Sequence, residues 1–90
     1  MIEVKVPTLL RRHTGGEPVV RGEGTTLGEL FTDLEARHPG LTSGLVSGDG
    51  GLPRHVNVYV NGEDARYLGA MATAVSDGDV VSVLPAVAGG

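Results

Sequence analysis

The sequence predicts an α+β domain in which one amphipathic helix covers one face of a mixed sheet. Three observations carry this. Ile2, Val4 and Val6, and again Val56, Val58 and Val60, alternate with polar or partly polar residues at the period of two that a half-buried strand requires. Leu27, Leu30, Phe31 and Leu34 repeat at i, i+3, i+4 and i+7, which is one face of a helix. Val80 to Leu84 is a near-continuous apolar run, the pattern of a strand buried on both faces and therefore central.

Taken in order, Met1 to Pro7 is the first strand, with Glu3 and Lys5 on the face opposite the apolar residues. His13-Thr14-Gly15-Gly16-Glu17-Pro18 is a turn cluster, and Val19 to Glu23 returns as the second strand of a hairpin closed by Gly22-Glu23-Gly24. Thr26-Leu27-Gly28-Glu29 has the form of a capping box, with Thr26 as N-cap and Glu29 at the third helical position. Glu29, Asp33 and Glu35 fall mostly on the outer faces, and Pro39-Gly40 ends the helix. Leu41 to Val46 adds a turn of helix, and Gly48-Asp49-Gly50-Gly51 is a loop. Val56 to Val60 is a strand, and Asn61-Gly62 supplies the positive φ values of a type I′ turn. Glu63 to Tyr67 is a short return segment, Leu68 to Val75 an irregular stretch or brief helical turn, and Asp77-Gly78-Asp79 a tight turn before the last strand. In such a hairpin–helix–strands layout the last strand returns beside the first. The expected arrangement is β-grasp-like, with residues 1–84 as the domain and 85–90 as a flexible C-terminal tail.

Composition sets bounds on function. Ninety residues with 40% hydrophobic content suit one small core, built from Val and Leu because Phe31, Tyr59 and Tyr67 are the aromatic residues. The chain has no cysteine, which excludes disulfides, thiolate–metal sites, iron–sulfur clusters and Cys nucleophiles, and with them a β-grasp ferredoxin. No apolar run approaches the roughly 20 residues of a membrane span, and the N-terminus lacks a secretory pattern, so the expected location is cytoplasmic. A net charge of −4 argues against a nucleic-acid partner.

The end of the chain carries the chemistry. Pro85 lacks an N–H and biases Leu84 toward an extended conformation, so the strand is expected to end near Leu84. The last six residues, Pro85 to Gly90, then leave the sheet as an arm of roughly 20 Å at about 3.3 Å per residue. Gly89 and Gly90 have no Cβ, so their backbone fits a slot that side chains would block. A terminal carboxylate at Gly90, ordinarily titrating near about 3.5, is ionised at neutral pH and is a poor electrophile until activated, normally as an acyl-adenylate made from ATP. The plain alternative is a frayed, Gly-rich terminus.

Leu84-Pro85-Ala86-Val87-Ala88-Gly89-Gly90, preceded by Ser76-Asp77-Gly78-Asp79-Val80-Val81, resembles the ubiquitin-like sulfur carriers of the ThiS/MoaD family. Asn57 to Arg66 and Val6-Pro7-Thr8-Leu9-Leu10-Arg11 extend the resemblance over nearly the whole chain, and His13-Thr14-Gly15-Gly16 brings it closest to the CysO type, the cysteine-forming branch. The resemblance implies a β-grasp fold and adenylation of Gly90 by an E1-like adenylating enzyme. A sulfur donor then converts the adenylate to a thiocarboxylate. In the CysO type the sulfur passes to a pyridoxal-phosphate-dependent cysteine synthase, and a metalloprotease releases the product; secondary-metabolite pathways use similar carriers. ATP and pyridoxal phosphate belong to the partners. Gly89, Ala88 and Val87 are the tail residues that enter partner active sites, and Leu84 and Pro85 are candidates for docking at its root. Two other roles stand beside this one: a ubiquitin-like modifier joined through Gly90 to lysines, and the small subunit of a molybdopterin synthase.

The remaining polar residues read as structural. His13, His38 and His55 lack metal-ligand spacing, and the loop at His13 lacks the lysine and following helix of a phosphate loop. Asp77 and Asp79 are expected in a tight turn, and Arg11, Arg12, Arg54 and Arg66 as solvated charges, the alternative being that they meet acidic residues of a partner. No nucleophile–base set is present, so the chain is expected to be a substrate of enzymes rather than an enzyme.

Overall fold

Ile2 and Val4 alternate with Glu3 and Lys5, and the backbone follows that pattern: strand β1 spans Ile2–Lys5, with Ile2 and Val4 buried. The computed structural model describes residues 1–42 and 56–85. Pro7 ends β1 and serves as N-cap of a 3₁₀ helix over Thr8–His13, an element the sequence reading did not foresee. Its Leu10 is buried against the core. Strand β2 (Val19–Gly22) returns antiparallel to β1, from Lys5↔Val19 to Ile2↔Gly22, so both hairpin strands are shorter than the sequence suggested.

Helix α1 spans Leu27–Arg37, with Leu27, Leu30, Phe31 and Leu34 buried as their spacing required. The Thr26 side chain accepts the Glu29 N–H at 3.2 Å, which confirms the N-cap. The return half of the capping box is displaced by one residue. A Glu29 carboxylate oxygen accepts the Thr25 N–H at 2.8 Å and the Thr25 hydroxyl at 2.7 Å, rather than the N-cap N–H. At the other end the His38 N–H bonds to the Leu34 carbonyl at 2.7 Å, and Gly40 adopts φ +92° beyond it. A Cβ on Gly40 would lie 2.9 Å from His13 Nδ1, so glycine serves both the turn and the close packing of the 3₁₀ helix against it. Glu35 holds this corner by accepting the Gly40 N–H at 2.8 Å and the Thr42 hydroxyl at 2.6 Å. Leu41 is fully buried; the rest of the helical turn expected over Leu41 to Val46, and the loop from Gly48 to Gly51, lie outside the described residues.

Strand β3 (Val56–Val60) and the two-residue β4 (Glu63–Asp64) are joined by Asn61 at φ 53° and Gly62 at φ 88°, both positive as a type I′ turn demands. Of the return segment expected from Glu63 to Tyr67 only the first two residues are strand, and Ala65–Tyr67 forms a 3₁₀ turn; a second 3₁₀ turn, Ala70–Ala72, is the brief helical turn expected within Leu68 to Val75. They meet the start of α1, where the Leu27 N–H bonds to the Thr73 carbonyl at 3.0 Å. Strand β5 (Val80–Pro85) then completes a sheet of order β2-β1-β5-β3-β4. It runs parallel to β1 and antiparallel to β3, so the last strand is central and lies beside the first, as the pattern predicted. Ile2, Val4, Val58, Val81 and Val83 face the apolar stripe of α1 in one core. Each such side chain contributes about 1.5–3 kcal/mol on burial.

Candidate functional site

Strand β5 is anchored at its start by a polar lock. The Asp79 carboxylate accepts the Ser76 N–H at 2.8 Å and an Asn61 amide N–H at 3.1 Å, while the Asn61 side-chain oxygen accepts the Val80 N–H at 3.0 Å. Asp77 pairs with the N-terminal ammonium. Both aspartates therefore belong to the turn, as the sequence suggested, and they fix where β5 begins.

The far end of β5 is built differently on its two sides. Against β1 the ladder stops at Lys5↔Ser82, because β1 turns away at Pro7. Against β3 it continues through Asn57↔Leu84 to Val56↔Pro85. The strand thus runs one residue beyond the Leu84 boundary expected from the proline. Pro85 is accommodated because it is the last residue of the strand and has lost its neighbour on the β1 side, so a missing N–H interrupts no inner ladder.

Arg66 braces this end, and here the solvated reading is corrected. Its guanidinium donates to the Asn57 side-chain oxygen at 2.7 Å and to the Val56 carbonyl at 2.8 Å. Those are the two residues that face Leu84 and Pro85 across the ladder. A signal for this was present in the hairpin: with Val60 opposite Glu63 and Tyr59 opposite Asp64, continuing the register sets Asn57 opposite Arg66. Arg11 is likewise engaged, its Nε donating to the Val6 carbonyl at 3.1 Å. Arg12 is exposed and reaches the His13 ring at 3.3 Å. Arg54 and His55 lie outside the described residues.

Where β1 and β5 diverge, a groove of about 600 Å³ opens beside the strand end. Val83 and Leu84 line it from β5, and Pro18 and Val19 from the start of β2. Lys5, Val6, Pro7, Thr8 and Arg11 complete it from β1 and the segment that leads into the following 3₁₀ helix. Leu84, a predicted docking residue, is 50% exposed here. Pro85 follows it as the last residue of β5. The predicted tail residues Val87, Ala88, Gly89 and Gly90 lie outside the described residues. Sequence reasoning missed the groove itself, because it arises from the divergence of two strands distant in the chain. Among the described residues no helix is long and apolar enough to cross a membrane, and no three His, Cys, Asp or Glu side chains gather as a metal site would require.

A mixed sheet of this order, with one helix across it and a central last strand, defines a β-grasp domain. The chain belongs to the ThiS family, whose model matches residues 4–90. It is 52% identical over 91 residues to the sulfur carrier protein CysO of Mycobacterium tuberculosis, across 99% of this chain and 98% of that one. A chain in the crystal structure of the Amycolatopsis orientalis BexX/CysO complex matches with a TM-score of 0.93 and 48% identity, covering 100% of each chain. Small archaeal modifier protein 3 of Haloferax volcanii is 47% identical over 68 residues, 76% of this chain and 73% of that one. The family, its CysO branch and the β-grasp fold are those the sequence pointed to.

Proposed function

We propose that the chain is a sulfur carrier whose reactive group is the Gly90 carboxylate. The observation that supports this most is its similarity, over essentially the full length of both chains, to a protein named as a sulfur carrier. The architecture agrees with it. A rigid central strand ends in Pro85, and the sequence beyond it reads Ala-Val-Ala-Gly-Gly, slim enough for a narrow active site.

The chemistry proceeds in two steps. A Gly90 carboxylate oxygen attacks the α-phosphorus of ATP on an E1-like enzyme, forming the acyl-adenylate and releasing pyrophosphate. A sulfide sulfur then attacks the acyl carbon, AMP leaves and the thiocarboxylate forms directly. With a persulfide donor the outer sulfur attacks to give an acyl disulfide; a thiol then attacks the donor's inner sulfur, so that the S–S bond breaks, the thiocarboxylate is released and a disulfide remains on the donor side. The result is a Gly90 thiocarboxylate. The acceptor is a cysteine synthase that brings its own pyridoxal phosphate, with a metalloprotease releasing the product, or else an enzyme of a secondary-metabolite pathway. The Amycolatopsis orientalis BexX/CysO complex, in which a CysO chain is bound to another protein, supports a protein partner for such a chain. This chain contributes no catalytic group to either step, and all of it is expected to take place in the cytoplasm.

A second reading has its own support. The kinship to a small archaeal modifier protein fits conjugation of Gly90 to lysines of target proteins. Intact mass after incubation with the E1-like enzyme, ATP and a sulfur source separates the two. A gain of one sulfur minus one oxygen at Gly90 is the carrier outcome. An unchanged mass, with Gly90 recovered in isopeptide linkage from cell extract, overturns it in favour of the modifier. Gly90→Ala, or one residue added after Gly90, is expected to abolish activation and leave thermal unfolding unchanged.

A further inference from the structure

We propose that Lys5 is a self-acylation site: its side-chain amine takes the activated Gly90 acyl group of the same chain when no sulfur nucleophile meets it, and closes the chain into a ring. The inference rests on the reading that Gly90 is activated as an acyl-adenylate, and adds a second fate for that intermediate.

The scarcity of amines supports it first. Of the 7 basic side chains all but Lys5 are arginine. A guanidinium stays protonated at neutral pH and does not attack an acyl group. Two primary amines remain, that of Met1 and that of Lys5. The Met1 ammonium pairs with Asp77. Lys5 is exposed, and among the described residues its side chain has no hydrogen bond or ion pair.

Position supports it second. Ile2 and Val4 face the core, so Lys5 projects from the opposite, open face of the sheet. It lies beside Ser82 in the parallel register, three residues before β5 ends at Pro85. Lys5 and Leu84 line the same groove, so the amine and the point where the tail departs share one opening. Three residues of strand and one strand spacing put the Pro85 Cα roughly 11 Å from the Lys5 Cα. The five residues after Pro85 cover at most roughly 17 Å at about 3.3 Å each, enough to turn back to Lys5. The same arithmetic excludes Met1. It lies beyond Glu3, the partner of Val80, and is therefore more than roughly 20 Å from Pro85.

The reaction is an aminolysis. The Lys5 nitrogen, as the free amine, attacks the Gly90 carbonyl carbon of the acyl-adenylate. A C–N bond forms, the C–O bond to AMP breaks with its electron pair on the phosphate oxygen, and the surplus proton on nitrogen passes to water. The product is an isopeptide bond within one chain, one water lighter than the starting protein. An amine tethered in the same chain meets the acyl carbon at an effective concentration on the order of millimolar, which favours it over amines of other molecules. The ring has no free C-terminal carboxylate and is withdrawn from sulfur transfer.

The test is intact mass of the full chain after incubation with the E1-like enzyme and ATP, in parallel arms with and without a sulfur source. Without sulfur, the expected product is a single chain that has lost one water and resists carboxypeptidase. Trypsin should release residues 1–11 joined to residues 67–90, because cleavage falls at Arg11 and Arg66 and no longer at Lys5. Lys5→Arg should lower the yield of this product about tenfold or more, yet form the thiocarboxylate as the native chain does when sulfur is supplied. Thermal unfolding of Lys5→Arg confirms that it is folded. ATP consumed without sulfur, with the chain recovered at its starting mass, overturns the self-acylation and leaves the carrier reading standing. The same holds for a water loss that maps to the Met1 amine or persists in Lys5→Arg. Linked pairs of labelled and unlabelled chains, from a mixture of the two, overturn closure within one chain. Failure of the enzyme to consume ATP or to form the thiocarboxylate in the sulfur arm overturns the activation of Gly90 and this proposal with it.

Discussion

Arg66→Ala should loosen the end of the central strand from which the tail departs. Among the described residues the side chain makes two charge-assisted hydrogen bonds, at 2.7 Å to Asn57 and at 2.8 Å to the Val56 carbonyl. In a buried setting such bonds contribute about 1.5–3 kcal/mol each, whereas exposed charged contacts contribute about 0.2–1 kcal/mol. The guanidinium is exposed while the Val56 contact is partly buried, so the pair together is expected to contribute about 1–2 kcal/mol. For a domain of this size that corresponds to a fall in Tm of roughly 5–15 °C. Arg66→Lys should recover less than half, because one ammonium cannot span two acceptors as a planar fork does. Urea unfolding gives the magnitude, and amide exchange gives the location. Protection should fall at Asn57 and Leu84, which face one another, and remain at Val58 and Val83. A loss below about 0.3 kcal/mol, or exchange accelerated evenly over the sheet, would refute the bracing role.

Two further outcomes test the core and its polar corners. Leu34→Ala, at a fully buried position on the helix stripe, should cost about 2–5 kcal/mol in urea unfolding, and a loss under about half a kilocalorie would mean the core is assigned wrongly. Three carboxyls are held below the usual carboxylate range: Glu29 by the Thr25 N–H and hydroxyl, Asp33 by the Glu23 N–H and then Arg37, and Glu35 by the Gly40 N–H and then Thr42. Because folding lowers these pKa values, the stabilisation is complete above the unfolded-state range near about pH 4.5 and is lost as pH falls through the lower folded values. The urea midpoint should therefore drop on acidification below about pH 4.5, and Glu29→Gln with Glu35→Gln should flatten that drop; an unaltered acid profile in the double variant would contradict the assignment.

What the sequence revealed follows from the range of the interactions involved. Period-two alternation located β1 and β3, a near-continuous apolar run located β5, and a period-3.6 stripe located the helix, because those patterns are local records of which face meets the core. Thr26 and Asn61-Gly62 marked their cap and turn for the same reason. The 3₁₀ helix over Thr8–His13 was not legible, since six residues give no repeat to count and only Leu10 among its described side chains is buried. The role of Arg66 was hidden at one remove. Its partners sit nine and ten residues back, and only the hairpin register brings them together. The end of β5 was misjudged by one residue because Pro85 was treated as if both sides of the strand were still paired. In the fold one side has already been released.

That release links the fold to the proposed role. A carrier must hold its tail at a defined place yet leave room for an enzyme to close around it. Pairing β5 on both sides to its end would fix the tail but bury the approach, and pairing it on neither would leave its direction unset. Here β1 holds β5 as far as Ser82 and then departs, while β3, braced by Arg66, holds it to Pro85. The departure of β1 also carries Lys5 and Arg11 to the rim of the opening.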